Sequence, residues 1–109
     1  MAIGFPPRVR KSRTFSALEG DLIHAVKAAM GTLGWPYDAV SDTEFKALPP
    51  HSGWSWGEEV QIRVLPDGVL QVESKTLSIR GWYDLGRNRR NVVRFFAAMD
   101  KELGDGIGR

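Results

Sequence analysis

The residues best suited to chemistry lie in one short stretch, residues 80–91. It reads Arg-Gly-Trp-Tyr-Asp-Leu-Gly-Arg-Asn-Arg-Arg-Asn and contains two aromatic residues, two glycines, one acid and four arginines. A helix is predicted to begin within it, and the N-terminus of a helix carries partial positive charge and backbone N–H donors. The chemistry that this composition favours is anion binding. The candidate ligand-binding residues here are Trp82, Asp84, Arg87, Asn88, Arg89 and Arg90.

The helix that follows determines where these side chains point. From Asn88 to Leu103 the apolar residues recur at spacings of three and four, the pattern of one buried helix face. At about 100° per residue, a second set of residues forms a basic ridge on the opposite face; it consists of Arg87, Arg90, Arg94 and Lys101. Asn88 and Arg89 flank the apolar stripe. We therefore expect Asn88 to bond to the backbone of the preceding turn and Arg89 to pair with a carboxylate.

Two interpretations of this segment stay open. In one, Asp84 or Asn88 caps the helix, Gly81 and Gly86 shape the turn, and the arginines keep the surface soluble. In the other, the arginines and the helix start form an anion site. Cationic side chains near a helix N-terminus oppose the helix dipole, and a local cost of this kind is a weak sign of function.

The four tryptophans are the second feature of interest. Trp54 and Trp56 project to one side if their segment is extended, and Trp35 and Trp82 stand next to predicted turns. The four rings either close one end of the core or line a groove where a base, a sugar ring or a peptide stacks. Trp54 and Trp56 therefore join the candidate ligand-binding residues.

Composition excludes several classes of chemistry. The chain of 109 residues has no cysteine, which excludes disulfides, thiol catalysis and cysteine-ligated zinc. Its two histidines, His24 and His51, are far apart and accompany no nucleophile motif. Glu58 and Glu59 are neighbours in a predicted strand, so their carboxylates should point to opposite faces. We expect no catalytic residue, no metal site and no cofactor.

The charges are unevenly distributed. The net charge is +2, yet nine of the fifteen basic residues lie in residues 8–13 or 80–94. Such segregation could attract phosphates, nucleic acid or acidic partners. No apolar run approaches the roughly 20 residues of a membrane span, and no signal peptide is recognisable. We expect a soluble, cytoplasmic protein.

The order of elements predicts an α+β fold. Residues 1–14 should be an extended basic tail, residues 15–103 a single domain, and residues 104–109 a flexible C-terminus. One helix should begin with a capping box at residues 16–19 and end at Gly34. Strands are predicted at residues 37–41, 43–48, 59–65 and 69–75, with a hairpin turn at 66–68. Both helices can bury their stripes only on one face of a three- to four-stranded antiparallel meander, which gives two layers. The other face should be open to solvent; it carries Gln61, Arg63, Gln71, Glu73 and Lys75.

Residues 72–76, Val-Glu-Ser-Lys-Thr, and residues 84–90, Asp-Leu-Gly-Arg-Asn-Arg-Arg, carry a resemblance. The chain resembles a family of small, uncharacterised bacterial proteins or domains. That family joins an initial helix, a Trp-rich meander, a Val-x-Ser-x-Ser strand end and an Asp-x-Gly-x-Asn-Arg helix start. The likeness spans residues 14 to 103, with Thr76 where the pattern has serine. It implies the fold and draws attention to residues 84–90, but it implies no reaction.

Three hypotheses for function follow. The first is a non-enzymatic binding domain that recognises an anionic, phosphate-bearing ligand or a protein partner. The alternative is a nucleic-acid-binding protein that uses the basic tail and the basic helix. The third is an enzyme, for which Asp84, Ser74 and Arg89 are the available residues.

Overall fold

The computed structural model describes residues 8–50, 57–77 and 86–104. Within these ranges the chain forms five strands and two α-helices. In chain order they are β1 (Arg8–Thr14), α1 (Glu19–Leu33), β2 (Tyr37–Ala39), β3 (Glu44–Ala47), β4 (Glu58–Leu65), β5 (Val69–Thr76) and α2 (Arg87–Glu102). The protein is of the α+β class.

All five strands belong to one antiparallel sheet, in the order β1-β5-β4-β3-β2. Alternate residues of β4 are buried, as expected for a strand with one face on the core. The core joins that face to residues of both helices, so α1 and α2 lie on the same side of the sheet. Its largest fully buried members include Phe45, Phe95, Leu22, Met30 and Ile62.

The sheet has five strands where three or four were expected, because residues 8–14, predicted as part of an extended tail, all pair with β5. These residues have little burial of their own, since β1 is an edge strand and only Val9 among them is partly buried. Arg13 joins β1 to α2 through a 2.7 Å ion pair with Asp100. Its guanidinium also lies 4.8 Å and 5.1 Å from the ring centres of Phe15 and Phe96.

The addition of β1 changes the face of the sheet that points away from the helices. Glu73 was expected in solvent, but it is buried because Arg8 and Arg10 each approach its carboxylate to 3.1 Å. Gln61, Arg63, Gln71 and Lys75 are half-buried through similar cross-strand contacts, such as the 3.0 Å bond that Arg63 donates to Gln71. No element within the described ranges covers this face, and its side chains largely satisfy one another.

The predicted turn between β4 and β5 is present at residues 66–68. Gly68 has a φ of 77°, and a Cβ atom there would lie 2.4 Å from the carbonyl oxygen of Phe15. The Phe15 N–H in turn donates a 2.8 Å bond to the carbonyl of Gly68. Only glycine fits this close approach, which ties the hairpin to the segment between β1 and α1.

The predicted capping box of α1 was wrong. The N-cap is Leu18, which is 76% exposed and makes no side-chain cap. The chain is held at Phe15 by the hairpin and turns before the helix begins, so α1 starts two residues later than a Ser16 cap requires. Glu19 and Asp21 lie in the first turn instead, where acids complement the helix dipole. The C-terminus is as predicted, with Gly34 in the left-handed region at a φ of 73°.

Within the described residues, neither of the two α-helices is long and apolar enough to cross a membrane.

Candidate functional site

The start of α2 is rich in cations, and its N-cap residue makes no side-chain cap. Gly86 is the N-cap, with a φ of 79° and no side chain to accept from the first turn. The next four residues are Arg87, Asn88, Arg89 and Arg90, and the first turn contains no acid. Asn88 is therefore not the cap that one interpretation required. Asp84, the other candidate cap, lies outside the described residues.

Asn88 instead points into the protein and joins a buried polar cluster. Its side chain is fully buried, and its Oδ1 accepts a 2.7 Å bond from the Ser74 hydroxyl. Its Nδ2 donates a 3.1 Å bond to the Thr76 hydroxyl. These two partners are side chains at the end of β5; the turn that precedes Gly86 lies outside the described residues.

A second amide extends the cluster. Asn91 lies one helical turn after Asn88, and its Nδ2 donates to the Ser74 hydroxyl at 3.2 Å and to the Glu58 carboxylate at 3.3 Å. We call Glu58, Ser74, Thr76, Asn88 and Asn91 the buried polar cluster; all five are buried. It fastens the first two turns of α2 to the adjoining ends of β4 and β5.

The cluster is suited to positioning rather than to reaction. Among the described residues, no buried side-chain nitrogen or oxygen is without a hydrogen-bond partner. Satisfied polar networks in a low-dielectric interior hold side chains in one arrangement. Glu58 and Glu59 lie on opposite faces of the sheet, as predicted: Glu58 bonds to α2, and Glu59 lies 3.8 Å from Lys75.

Sequence reasoning did not identify Glu58, Thr76 and Asn91 as members of a site. The sequence did contain one indication, namely the position of each residue in the repeat of its helix or strand. Asn91 directly precedes the buried Val92 at the margin of the apolar stripe. Glu58 and Thr76 continue the inward-facing alternation of β4 and β5. A polar residue in a buried phase needs a polar partner, so three such residues at neighbouring element ends predict a network.

The arginines of α2 differ from the other arginines of the structure. Arg8, Arg10, Arg13 and Arg63 each have a carboxylate partner. Among the described residues, Arg87, Arg89, Arg90 and Arg94 form no ion pair; Arg87 is half-buried and the other three are exposed. No carboxylate of the described residues forms an ion pair with Arg89. Arg89 lies at the surface on the side of α2 that faces β1.

A groove runs between β1 and α2 on the helix side of the sheet. It consists of two depressions of about 440 and 460 Å³ that share Lys11, Val92 and Val93. We call it the β1–α2 groove. Its remaining lining residues are Val9, Ser12, Arg13, Arg89, Phe96, Ala97 and Asp100.

The tryptophans are only partly accounted for. Trp35 is buried in the core, where its ring stacks on Phe95 with a centroid distance of 5.9 Å. Trp54, Trp56 and Trp82 lie outside the described residues, as does His51. His24 is exposed on α1, and no group of three acids or histidines suited to a metal ion occurs in residues 8–50, 57–77 and 86–104.

Comparison with known proteins adds no relative: no protein-family model matches the chain, and no curated protein matches it.

Proposed function

We propose that this protein is a non-enzymatic binding domain that recognises an anionic, phosphate-bearing group at the start of α2. Arg87, Arg89 and Arg90 would contact the group directly. Asn88 would support the site from inside the protein, since its buried amide holds the start of α2 in position. Trp54, Trp56, Trp82 and Asp84 stay in the proposed ligand-binding set on the sequence alone.

One observation carries this proposal: the cations of the first turn of α2 have no carboxylate partner in the described structure, whereas most other arginines do. Three cations within four residues repel one another, and here they also oppose the helix dipole. A bound phosphate would reverse both effects, because arginine and the N-terminus of a helix each stabilise an anion. The local charge pattern is therefore most favourable when an anion is present.

The test is a titration of labelled protein with inorganic phosphate and then pyrophosphate, followed by two-dimensional amide NMR. We expect shifts concentrated at residues 86–90. The triple variant Arg87→Ala/Arg89→Ala/Arg90→Ala should lose them and should change the free energy of unfolding by no more than about 0.5 kcal/mol per site, as for most exposed positions.

The matched control is Arg94→Ala/Lys101→Ala, which removes two cations from the same helix but outside its first turn. We expect this variant to bind as the parent does. Equal loss of binding in both variants would point to general charge attraction. No shift at any phosphate concentration would contradict the proposal.

The nucleic-acid alternative predicts a different pattern in the same experiment. It needs β1 as a basic tail, but Arg8, Arg10 and Arg13 are already paired with Glu73 and Asp100. A single-stranded oligonucleotide that bound tightly, weakened steeply with salt and shifted β1 as well as α2 would support that alternative instead.

A further inference from the structure

The β1–α2 groove lies beside β1, an edge strand of the sheet. β1 is the first strand in the sheet order, and no other strand of the described residues lies on its outer side. In an edge strand, every second residue directs its N–H and C=O away from the sheet. A further strand could therefore hydrogen-bond to β1, and half of its side chains would then face the groove.

The groove offers apolar surface to such side chains. Val93 is 57% exposed and lies at its centre, since both depressions include it. Val9, Val92, Phe96 and Ala97 add to the apolar lining. Cations on an edge strand by themselves serve to discourage aggregation, but that role does not require an apolar groove alongside.

The charges around the groove favour an acidic occupant. Arg13 and Asp100 neutralise each other in a 2.7 Å pair, whereas Lys11 and Arg89 have no carboxylate partner among the described residues. The groove therefore carries an excess of positive charge. A second copy of this chain fits poorly, because β1 has four cations and no acid in seven residues and pairing it with itself opposes like charges.

We propose that β1 and the β1–α2 groove bind an extended, acidic segment of a partner protein, which adds to the sheet as a sixth strand. Backbone hydrogen bonds to β1 provide affinity, as in other cases of strand addition. Apolar side chains of the segment contact Val93, and its carboxylates pair with Lys11 and Arg89. This surface is separate from the phosphate site proposed above, apart from Arg89, which borders both.

The probe is an eight-residue peptide made of two glutamates followed by two valines, repeated once, acetylated and amidated at its ends. Because successive side chains of a strand point to opposite faces, each face of this peptide carries both carboxylates and valines, in either register. We expect its addition to shift the amides of β1, Val93 and Ala97 in NMR spectra. A lysine–valine peptide of the same length and the glutamate–valine peptide with a central proline should each bind at least ten-fold more weakly.

Two variants test the surface itself. Val93→Asp and Lys11→Glu should each weaken binding of the glutamate–valine peptide about ten-fold or more. Val40→Asp is the matched control, because Val40 is a valine of similar exposure, 52%, that lies outside the groove. Its affinity for the peptide should be unchanged.

Three results would overturn the proposal. These are no shift in β1 with the acidic peptide, equal binding of the lysine peptide, or concentration-dependent dimerisation that occupies β1, seen by light scattering. The variant Arg87→Ala/Arg90→Ala separates this proposal from the previous one: it should weaken the phosphate response and leave peptide binding intact.

Discussion

Asn88 is a polar residue whose burial is complete, and its surroundings explain why it is tolerated there. Its amide is used at both ends, by the hydroxyls of Ser74 and Thr76. In turn, Ser74 has no exposed surface and depends on the two asparagines of α2 for its bonds. Buried groups that satisfy one another in this way specify a single arrangement of α2 on the sheet.

Replacement of Asn88 by alanine should therefore destabilise the fold. The substitution removes the acceptor of the Ser74 hydroxyl and the amide donor to the Thr76 hydroxyl, while Asn91 still donates to Ser74. An unsatisfied buried group costs about 1–3 kcal/mol. We expect Asn88→Ala to lower the free energy of unfolding by about 2–3 kcal/mol, measured by urea denaturation. Arg90→Ala, two residues later and exposed, is the control and should change it by about 0.5 kcal/mol or less. Similar losses in both variants would show that the cluster contributes nothing.

The sequence predicted the direction of Asn88 but not its partners. Helical phase placed its side chain beside the apolar stripe, and phase depends only on local geometry. The identity of the partners depends on where α2 crosses the sheet, which the spacing of residues within α2 does not encode. Asn91 and Glu58 were not assigned to this cluster for the same reason. In addition, a polar residue at the margin of a buried face is usually solvated.

Among the elements, β1 departs most from expectation. The helices and the strands β3, β4 and β5 each have a periodic apolar face, and that pattern located them to within one or two residues. β1 has no such face, because Val9 is its only member packed against the core. Its position depends on backbone pairing with β5 and on its arginines. The one residue of β5 that could have indicated this pairing was the acidic Glu73. Strand alternation places Glu73 on the polar face of β5, so the sequence pattern assigned it to solvent.

The attachment of β1 should accordingly be sensitive to Glu73. Its carboxylate is buried and accepts bonds from both Arg8 and Arg10. We expect Glu73→Gln to cost about 1–2 kcal/mol, because bonds to charged groups are stronger than neutral ones. We also expect amide hydrogen exchange to accelerate in residues 8–14 more than elsewhere. Mass spectrometry of peptides from the exchanged protein measures this.

The control for that experiment is Glu59→Gln on the same face of the sheet. Glu59 is 3.8 Å from Lys75, a longer contact to a half-exposed lysine, and such pairs contribute little. Exchange in β1 should be the same as in the parent protein. If Glu73→Gln also left β1 unchanged, backbone pairing alone would hold the strand.

For the whole molecule, the fold class was predictable and the strand order was not. Two amphipathic helices and a meander have few ways to bury their apolar faces, so α+β with both helices on one side followed from patterning. Which strand lies at each edge depends on pairing between distant segments. The two basic segments of the chain, residues 8–13 and 80–94, also could not be distinguished by their sequence. Only the structure separates them, since β1 is largely neutralised by Glu73 and Asp100, whereas no carboxylate of the described residues pairs with the start of α2.

The position of β1 has a consequence for the order in which the protein folds. Arg8 and Arg10 reach Glu73 across 65 and 63 positions of the chain, whereas β4 and β5 are joined by a three-residue turn. Closing the longer loop costs more entropy, so the hairpin should form first and β1 should attach late.

Stopped-flow kinetics followed by tryptophan fluorescence can test this order. Ile62→Val in the hairpin should slow folding, while Glu73→Gln should chiefly speed unfolding, with φ-values above about 0.5 and below about 0.3 respectively. The reverse pattern would place β1 in the folding nucleus. During synthesis β1 leaves the ribosome before β5, and on this view it waits unpaired until β5 has emerged.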